Sequence, residues 1–429
     1  MTPLRIALVS LYFPPMVRGG AHLSAYFLAK GLAGRGHRVD VFTSQRPRAA
    51  DRTSGEAAWQ HPGITVHPAL PVLRPTTAMG MDRASLVMAW SLRQHLRKHR
   101  LSFDVLHAYG MDTIPAVVFS RPYGRAVATF NGYWATCPHW DHTDPSTRQL
   151  CAVCGYRHLA RCILGRDGRR DLFRFAAKWH YLYLSLRFRQ VFSRRLDLLL
   201  PISQSMKRIL IANRFPAGRM RVCYNMVDLA DYGTLDRQFL HRRFGIDPAR
   251  PILLHAGRFA PYKGTEFILD AIPSIVERHP EVHFVFIGQG STMKGLETRA
   301  RRNGLAAATT FGGFVDPALM PSAYASAYAV LHTATWPEPF ARGPVESLAA
   351  GTPVIATATG GTPEIVRDGE TGLLIPPFDA DAIARAADRL LDNRSLRDNL
   401  GAAGRSEVHS RFAIDGQIEQ YLAAYRELL

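Results

Sequence analysis

Residues Trp336–Thr352 read WPEPFARGPVESLAAGT. Two glutamates, Glu338 and Glu346, stand eight residues apart, and Gly351-Thr352-Pro353 follows the second. Proline suits a first helical turn, and glycine then proline make a cap and a stop, so the pattern predicts a helix from Pro344 to Ala350. Glu346 then falls in the first turn and Glu338 in the incoming loop. Carboxylates so placed flank a helix start whose amides favour an anion. N–H groups for a phosphate, with a carboxylate on each side for hydroxyls, suit a phosphorylated sugar. Taken alone, the pair is better explained by one glutamate complementing a helix dipole and another in a solvated loop; the surrounding sequence reverses that balance.

Upstream, an apolar strand at Ile252–Gly257 ends in HAGRFAPYKGTEF. Arg258 and Lys263 lie in the loop before a helix over Glu266–Arg278. Two cations beside helix amides form a clamp for a diphosphate, each charged hydrogen bond contributing about 1.5–3 kcal/mol. Strands follow at His283–Ile287, Thr309–Phe311, Ala329–His332, Val354–Thr357 and Leu373–Ile375, with helices at Asp379–Leu391, Arg394–Ser410 and Phe412–Leu429. The N-terminal half has the same grammar. A strand over Arg5–Ser10, Gly19-Gly20 in a loop, a helix over Ala21–Ala33 and a strand over Arg38–Ser44 open a doubly wound parallel sheet. Gln45–Thr77 reads as a long loop with one short strand near Ile64–His67. A helix over Asp82–His99 and strands at Asp104–Ala108, Ala126–Asn131, Leu196–Ile202 and Met220–Asn225 complete the domain, and Ser203 caps a helix through Ile211. The expected class is α/β, with two Rossmann-like doubly wound parallel-sheet domains at 1–228 and 229–411 and a closing segment at 412–429.

A chain of 429 residues is too long for one ordinary core, which agrees with two domains. Its 47% hydrophobic and 21% charged content describes a soluble globular protein, with no apolar run of membrane-spanning length. MTPLRIALVS leads straight into a strand, so the cytoplasm is the expected compartment. Net charge is +18, and Tyr156–Arg195 holds 11 Lys/Arg against 2 Asp/Glu, half of that excess. Such a patch meets an anionic partner or is widely solvated. Nucleic acid is one partner; an anionic membrane surface suits the aromatic character of this stretch better. Within it, DLFRFAAKWHYLYLSLRFRQVF sets Phe175, Trp179, Leu182 and Leu186 at helical spacing. That is either a membrane-surface helix or a core helix with a basic edge. Four of the five cysteines, Cys137, Cys151, Cys154 and Cys162, are spaced C-x13-C-x2-C-x7-C. Clustering in an intracellular chain points to metal: C-x2-C is a zinc half-site that Cys137 and Cys162 complete, with an iron–sulfur cluster and free thiols as alternatives.

Residues 338–377, EPFARGPVESLAAGTPVIATATGGTPEIVRDGETGLLIPP, resemble the E-x7-E region of retaining glycosyltransferases with the GT-B fold, the family-four type, and the resemblance extends over nearly the whole chain. It implies two domains facing a central cleft, with the last helix returning to brace the first. It implies that Arg258 and Lys263 bind the donor diphosphate and stabilise its departure, that Glu338 hydrogen-bonds the transferred sugar and that Glu346 holds the ribose. Backbone groups of Phe340, Ala341 and Arg342 would meet the diphosphate and sugar. Phe311–Val315 would receive the base, commonly uracil, and Gly20 would let backbone approach the distal phosphate. One departure stands out. In ATFNGYWATCPHWD, Asn131-Gly132 occupies the place of the family's His-Asp, and Asn131 hydrogen-bonds but takes no proton at neutral pH. His107 and His139 are alternative histidines, each read as structural.

The implied reaction moves a sugar from a nucleotide-sugar donor to a hydroxyl acceptor with retention, the leaving phosphate deprotonating the acceptor and no divalent ion required. Polysaccharide, glycolipid and secondary-metabolite acceptors all fit. Lipid-linked acceptors are frequent in the family, which would place the protein at the inner face of a membrane through residues 156–195. A sugar-nucleotide epimerase and a basic nucleic-acid-binding protein are the competing readings.

Overall fold

Strands such as Arg5–Val9 (RIALV) and Ile252–Ala256 (ILLHA) are buried almost throughout, as parallel strands covered on both faces must be. The computed structural model describes residues 2–14, 20–44, 61–71, 78–147, 150–168 and 172–429. Gly19 and most of the expected Gln45–Thr77 loop lie outside them. The first sheet comprises β1 (Arg5–Val9), β2 (Arg38–Ser44), β3 (Ile64–Leu70), β4 (Val105–Tyr109), β5 (Arg125–Phe130) and β6 (Leu198–Pro201) in the order β3-β2-β1-β4-β5-β6. The second comprises β7 (Ile252–Ala256), β8 (His283–Ile287), β9 (Thr309–Gly313), β10 (Ala329–His332), β11 (Val354–Thr357) and β12 (Gly372–Ile375) in the order β12-β11-β10-β7-β8-β9. Every pairing within both sheets is parallel.

The chain divides into two compact units, Met1–Met226 with Ile414–Leu429, and Val227–Ala413. In the first, Leu28 and Leu32 of the Gly20–Gly34 helix share a core with Ile418, Tyr421 and Leu422 of the Ile414–Leu428 helix. His107 is fully buried there, 2.6 Å from the Tyr425 hydroxyl and 2.8 Å from Thr129 Oγ1. Burial pushes its pKa down to about 3, so it is a neutral packing residue. In the second unit the Thr265–Arg278 and Ala380–Leu391 helices bury Ile268, Leu269, Ile272, Ile383 and Leu390 in one core.

One local expectation is corrected, and one open alternative is narrowed. Met220–Asn225 is not a strand: Met220 alone bridges Leu199, and beyond it only Arg221 and Cys223 reach β6, at 3.1 Å each. With β6 four residues long and ending in proline, little partner backbone is available for a ladder. The stripe Phe175, Trp179, Leu182 and Leu186 on the Leu172–Arg194 helix turns inward. Leu182 joins Leu159 and Ile163 of the Tyr156–Asp167 helix, with Phe175 and Trp179 packed beside them. Arg189 on the same helix is 1% exposed. It pairs with Asp82 at 2.8 Å and lies 5.2 Å from the Trp134 ring, so part of the basic edge is core.

Candidate active site

In the second sheet the strand order reverses between β7 and β10, the place where open α/β sheets hold ligands beyond the strands' carboxyl ends. The loops leaving these two strands carry Arg258 and Lys263 on one side and Glu338 on the other. They are stitched together by backbone: Thr335 N–H donates to Tyr262 O at 3.0 Å, and the Thr333 hydroxyl donates to Lys263 O and Gly264 O at 3.2 and 3.1 Å. Gly264 has φ 64°, and a Cβ there would lie 2.0 Å from Thr333 O, so only glycine lets the loops approach this closely.

Lys263 Nζ meets Glu338 Oε1 at 2.6 Å, with side-chain exposures of 18% and 12%, and lies 5.9 Å from the Trp336 ring centre. His332, the last residue of β10, brings Nε2 to 3.0 Å from Glu338 Oε2. Burial alone would raise the Glu338 pKa; Lys263 and His332 override it and hold the carboxyl down at about 2, so it is a carboxylate throughout the neutral range. Its backbone is held too. Gly361 N–H donates to Glu338 O at 2.8 Å.

The second glutamate sits differently from the sequence expectation. The helix spans Arg342–Ala349 and begins two residues before Pro344. Proline is tolerated through the first turn, where its missing N–H is not needed, so it marks the start of a helix only approximately. Glu346 consequently lies one turn in, paired with Arg342 Nη2 at 2.5 Å and Nε at 3.0 Å. Tyr324 and Tyr232 face the same carboxylate; burial first, then Glu346, raises both phenols well above their usual range. Phe340 and Ala341 are buried just ahead of the helix. Gly351 closes it, its N–H bonding to Leu348 O at 2.9 Å.

The structure therefore brings Lys263 to Glu338 and Arg342 to Glu346. Arg258 is exposed on the loop after β7 with no ion pair among the described residues. Val315 is buried beyond β9, where Phe311 stacks on Phe286 at 4.7 Å and Phe314 is left 53% exposed. In the first unit, Gly20 is the first residue of its helix and Asn131 follows the carboxyl end of β5. Sequence reasoning missed His332, Tyr324 and Gly360-Gly361; only the double glycine carried a visible signal. It also passed over Asp379-Ala380-Asp381, an Asp-x-Asp tripeptide. Asp379 caps the Ala380–Leu391 helix, accepting from Ala382 N–H at 2.7 Å.

The four clustered cysteines lie between β5 and the Leu172–Arg194 helix. Burial, reinforced by neighbouring acidic groups and thiols, raises the Cys151 thiol to about 12. Burial also raises Cys137, Cys154 and Cys162. Their four sulfurs do not converge within 4.8 Å of one another among the described residues. His139 is largely buried and lowered to about 4 by burial and Arg166.

Two doubly wound units, one carrying buried cation–carboxylate pairs at its switch point, define a glycosyltransferase of the GT-B class. The family described as Glycosyltransferase Family 4 matches residues 18–231, and that described as Glycosyl transferases group 1 matches residues 236–407. The chain belongs to the family-four glycosyltransferases. Spore coat protein SA of Bacillus subtilis is 31% identical over 235 residues, covering 51% of this chain and 62% of that protein, so the match spans under two thirds of the relative. An uncharacterised glycosyltransferase of Methanocaldococcus jannaschii, MJ1607, is 24% identical with 99% and 98% covered. Among solved structures, Anabaena HepE in complex with UDP superposes with a TM-score of 0.69 at 19% identity, covering 99% and 100% of the two chains.

Proposed function

We propose that the protein transfers a hexose-type sugar from a UDP-sugar to a hydroxyl acceptor, with retention and without a catalytic divalent ion. The observation that carries this reading is the buried Lys263–Glu338 pair at the β7/β10 switch point. A cation for the diphosphate and a permanently ionised carboxylate for sugar hydroxyls stand side by side. The UDP held by HepE supports the choice of base. As the glycosidic C–O bond breaks, charge grows on the leaving phosphate oxygen, where Lys263 and Arg258 act. The same oxygen takes the acceptor's proton while the new C–O bond forms on that face. These cations do the work that a divalent ion does elsewhere, and Asp379 of the Asp-x-Asp tripeptide is committed to its helix cap. Incubating the purified protein with a panel of sugar nucleotides in chelator, and following UDP release and product anomeric configuration by NMR, tests the whole reading. An inverted product, an epimerised sugar nucleotide or strict dependence on an added divalent ion would each overturn it.

Asn131 has the hydrogen-bonding capacity to position a substrate hydroxyl but not to serve as a base. Asn131→His is accordingly expected to change kcat by less than about tenfold, a side chain's orienting contribution rather than the 10²–10⁴ of an acid–base group; a gain of several orders of magnitude would show that a base is missing.

The acceptor in this reading is a cell-envelope polysaccharide precursor or glycolipid, reached from an anionic membrane surface. No helix among the described residues is long and apolar enough to cross a membrane. The Leu172–Arg194 helix exposes Phe173, Leu184 and Val191 by 82%, 65% and 45%, on one face at helical spacing. The exposed Lys178 and Arg187 belong to the same helix. Each apolar anchor contributes about 1.5–3 kcal/mol on burial, so the double variant Phe173→Glu/Leu184→Glu should cut co-sedimentation with anionic vesicles by more than about tenfold. Undiminished sedimentation would rule this face out.

A further inference from the structure

Residues 131–147 leave the first sheet beyond β5, and residues 150–155 fold back on them. Thr143 forms an antiparallel bridge with Leu150, Cys151 N–H donates to His142 O at 2.7 Å, and His142 Nδ1 meets Cys151 O. This pairing sets Asp144 beside Cys151, and the first turn of the Tyr156–Asp167 helix presents His158 to both. One ligand atom from each of Asp144, Cys151 and His158 lies within 4.8 Å of the other two, and this is the one such group of three among the described residues.

Three details distinguish this set from a chance meeting of polar side chains. The Asp144 Oδ1 atom accepts from Ser146 N–H at 2.9 Å, the Ser146 hydroxyl at 2.5 Å and Thr147 N–H at 3.2 Å. All these bonds fall on one oxygen, which fixes the carboxylate and leaves Oδ2 turned toward His158. That is the outer-shell pattern that orients metal ligands. Second, His158 Nε2 is buried without a hydrogen-bond partner, which is costly unless something occupies it. Third, the Nε2–Oδ2 separation is 4.0 Å. That is too long for a hydrogen bond but near the edge of a tetrahedron around zinc, roughly 3.4 Å for bonds of about 2.1 Å.

We propose that Asp144, Cys151 and His158 bind one zinc ion, with water in the fourth position. The mixed oxygen, sulfur and nitrogen donors suit zinc among the biological divalent ions. Binding displaces the thiol proton of Cys151 to solvent and forms one bond from each side chain to the ion. The ion ties the excursion beyond β5, which begins at Asn131, to the Tyr156–Asp167 helix. Cys137, Cys154 and Cys162 are not ligands in this arrangement, which separates it from a four-thiolate site.

The test uses the full-length, tag-free protein, exchanged against a weak chelator and analysed for zinc by mass spectrometry. One equivalent is expected in the parent and in Cys154→Ser. Asp144→Asn, Cys151→Ser and His158→Gln should each weaken zinc binding on the order of 100-fold or more, with far-UV circular dichroism reporting folding. Should one variant fail to fold, the other two carry the comparison. Cobalt substitution adds an independent readout, since its charge-transfer absorption should report a single thiolate and vanish in Cys151→Ser. Absence of both zinc and cobalt binding in the parent overturns the proposal. So does zinc that survives Cys151→Ser or His158→Gln, or is lost from Cys154→Ser with a cobalt spectrum of several thiolates. None of these outcomes depends on sugar transfer, so the metal site and the proposed reaction fail separately.

Discussion

Glu338→Gln is expected to lower kcat/KM for sugar transfer on the order of 1,000-fold while UDP binds at least as tightly as to the parent. Glutamine keeps the size of the side chain, so the change isolates charge. Two charge-assisted hydrogen bonds to sugar hydroxyls contribute roughly 3–6 kcal/mol, and each 1.4 kcal/mol is about tenfold in rate. The pair also has a folding role. Lys263 and Glu338 are 18% and 12% exposed at 2.6 Å, and stripping one partner from a buried pair costs about 3–5 kcal/mol. The ligand-free variant should therefore melt earlier, and UDP should restore more stability to it than to the parent by supplying an anion for Lys263. Steady-state kinetics, UDP calorimetry and thermal melts with and without UDP check the three parts. If UDP affinity falls in step with transfer, Glu338 acts on the nucleotide through Lys263 and its assignment to the sugar is wrong.

Gly360→Ala should cost on the order of 100-fold in kcat/KM although residue 360 carries no side chain to touch a substrate. Gly360 has φ 55°, and a Cβ there would stand 2.2 Å from Glu338 O and 2.5 Å from Glu338 N, where real contacts do not fall below 3.0 Å. Backbone cannot rotate away as a flexible side chain can, so the loop carrying Glu338 must move by about 0.8 Å, and displacements near 1 Å suffice for a hundredfold loss. The left-handed conformation adds about 1–2 kcal/mol of instability for a residue with a Cβ. Gly295→Ala, at a helical position with open space around it, is the control and should be neutral or slightly stabilising. A folded Gly360→Ala protein with parental kcat/KM would show that this close approach does not position Glu338.

The inner strands of both sheets were legible because a parallel sheet buried on two faces demands largely apolar runs, and ILLHA, HFVFI and RIALV are such runs. The family resemblance was legible because Glu338, Glu346 and the glycines between and after them lie within one short stretch. What the sequence concealed is set by contacts between distant segments. His332 meets Glu338 across a turn whose Glu338 carbonyl accepts from the N–H of Gly361, a residue beyond β11. The pairing of Arg342 with Glu346 depended on where the helix begins, and Pro344 leaves that open by a turn. The cysteine spacing drew attention to four thiols within one short stretch, whereas Asp144 and His158 meet Cys151 through the bridge between Thr143 and Leu150. The inward turn of Trp179 and Phe175 likewise depended on the preceding helix, which local periodicity cannot see.

In the reaction proposed above, the resting contact between Lys263 and Glu338 would give the enzyme a way to tell a loaded carrier from a spent one. A bare nucleoside diphosphate would draw the lysine away and leave the carboxylate with only His332 beside it, whereas an intact donor would arrive with the hydroxyls that carboxylate lacks. Once the sugar has moved on, the two side chains regain their mutual attraction and compete directly with the departing nucleotide. Ejection of the used carrier is thereby favoured by the same two atoms that admitted it.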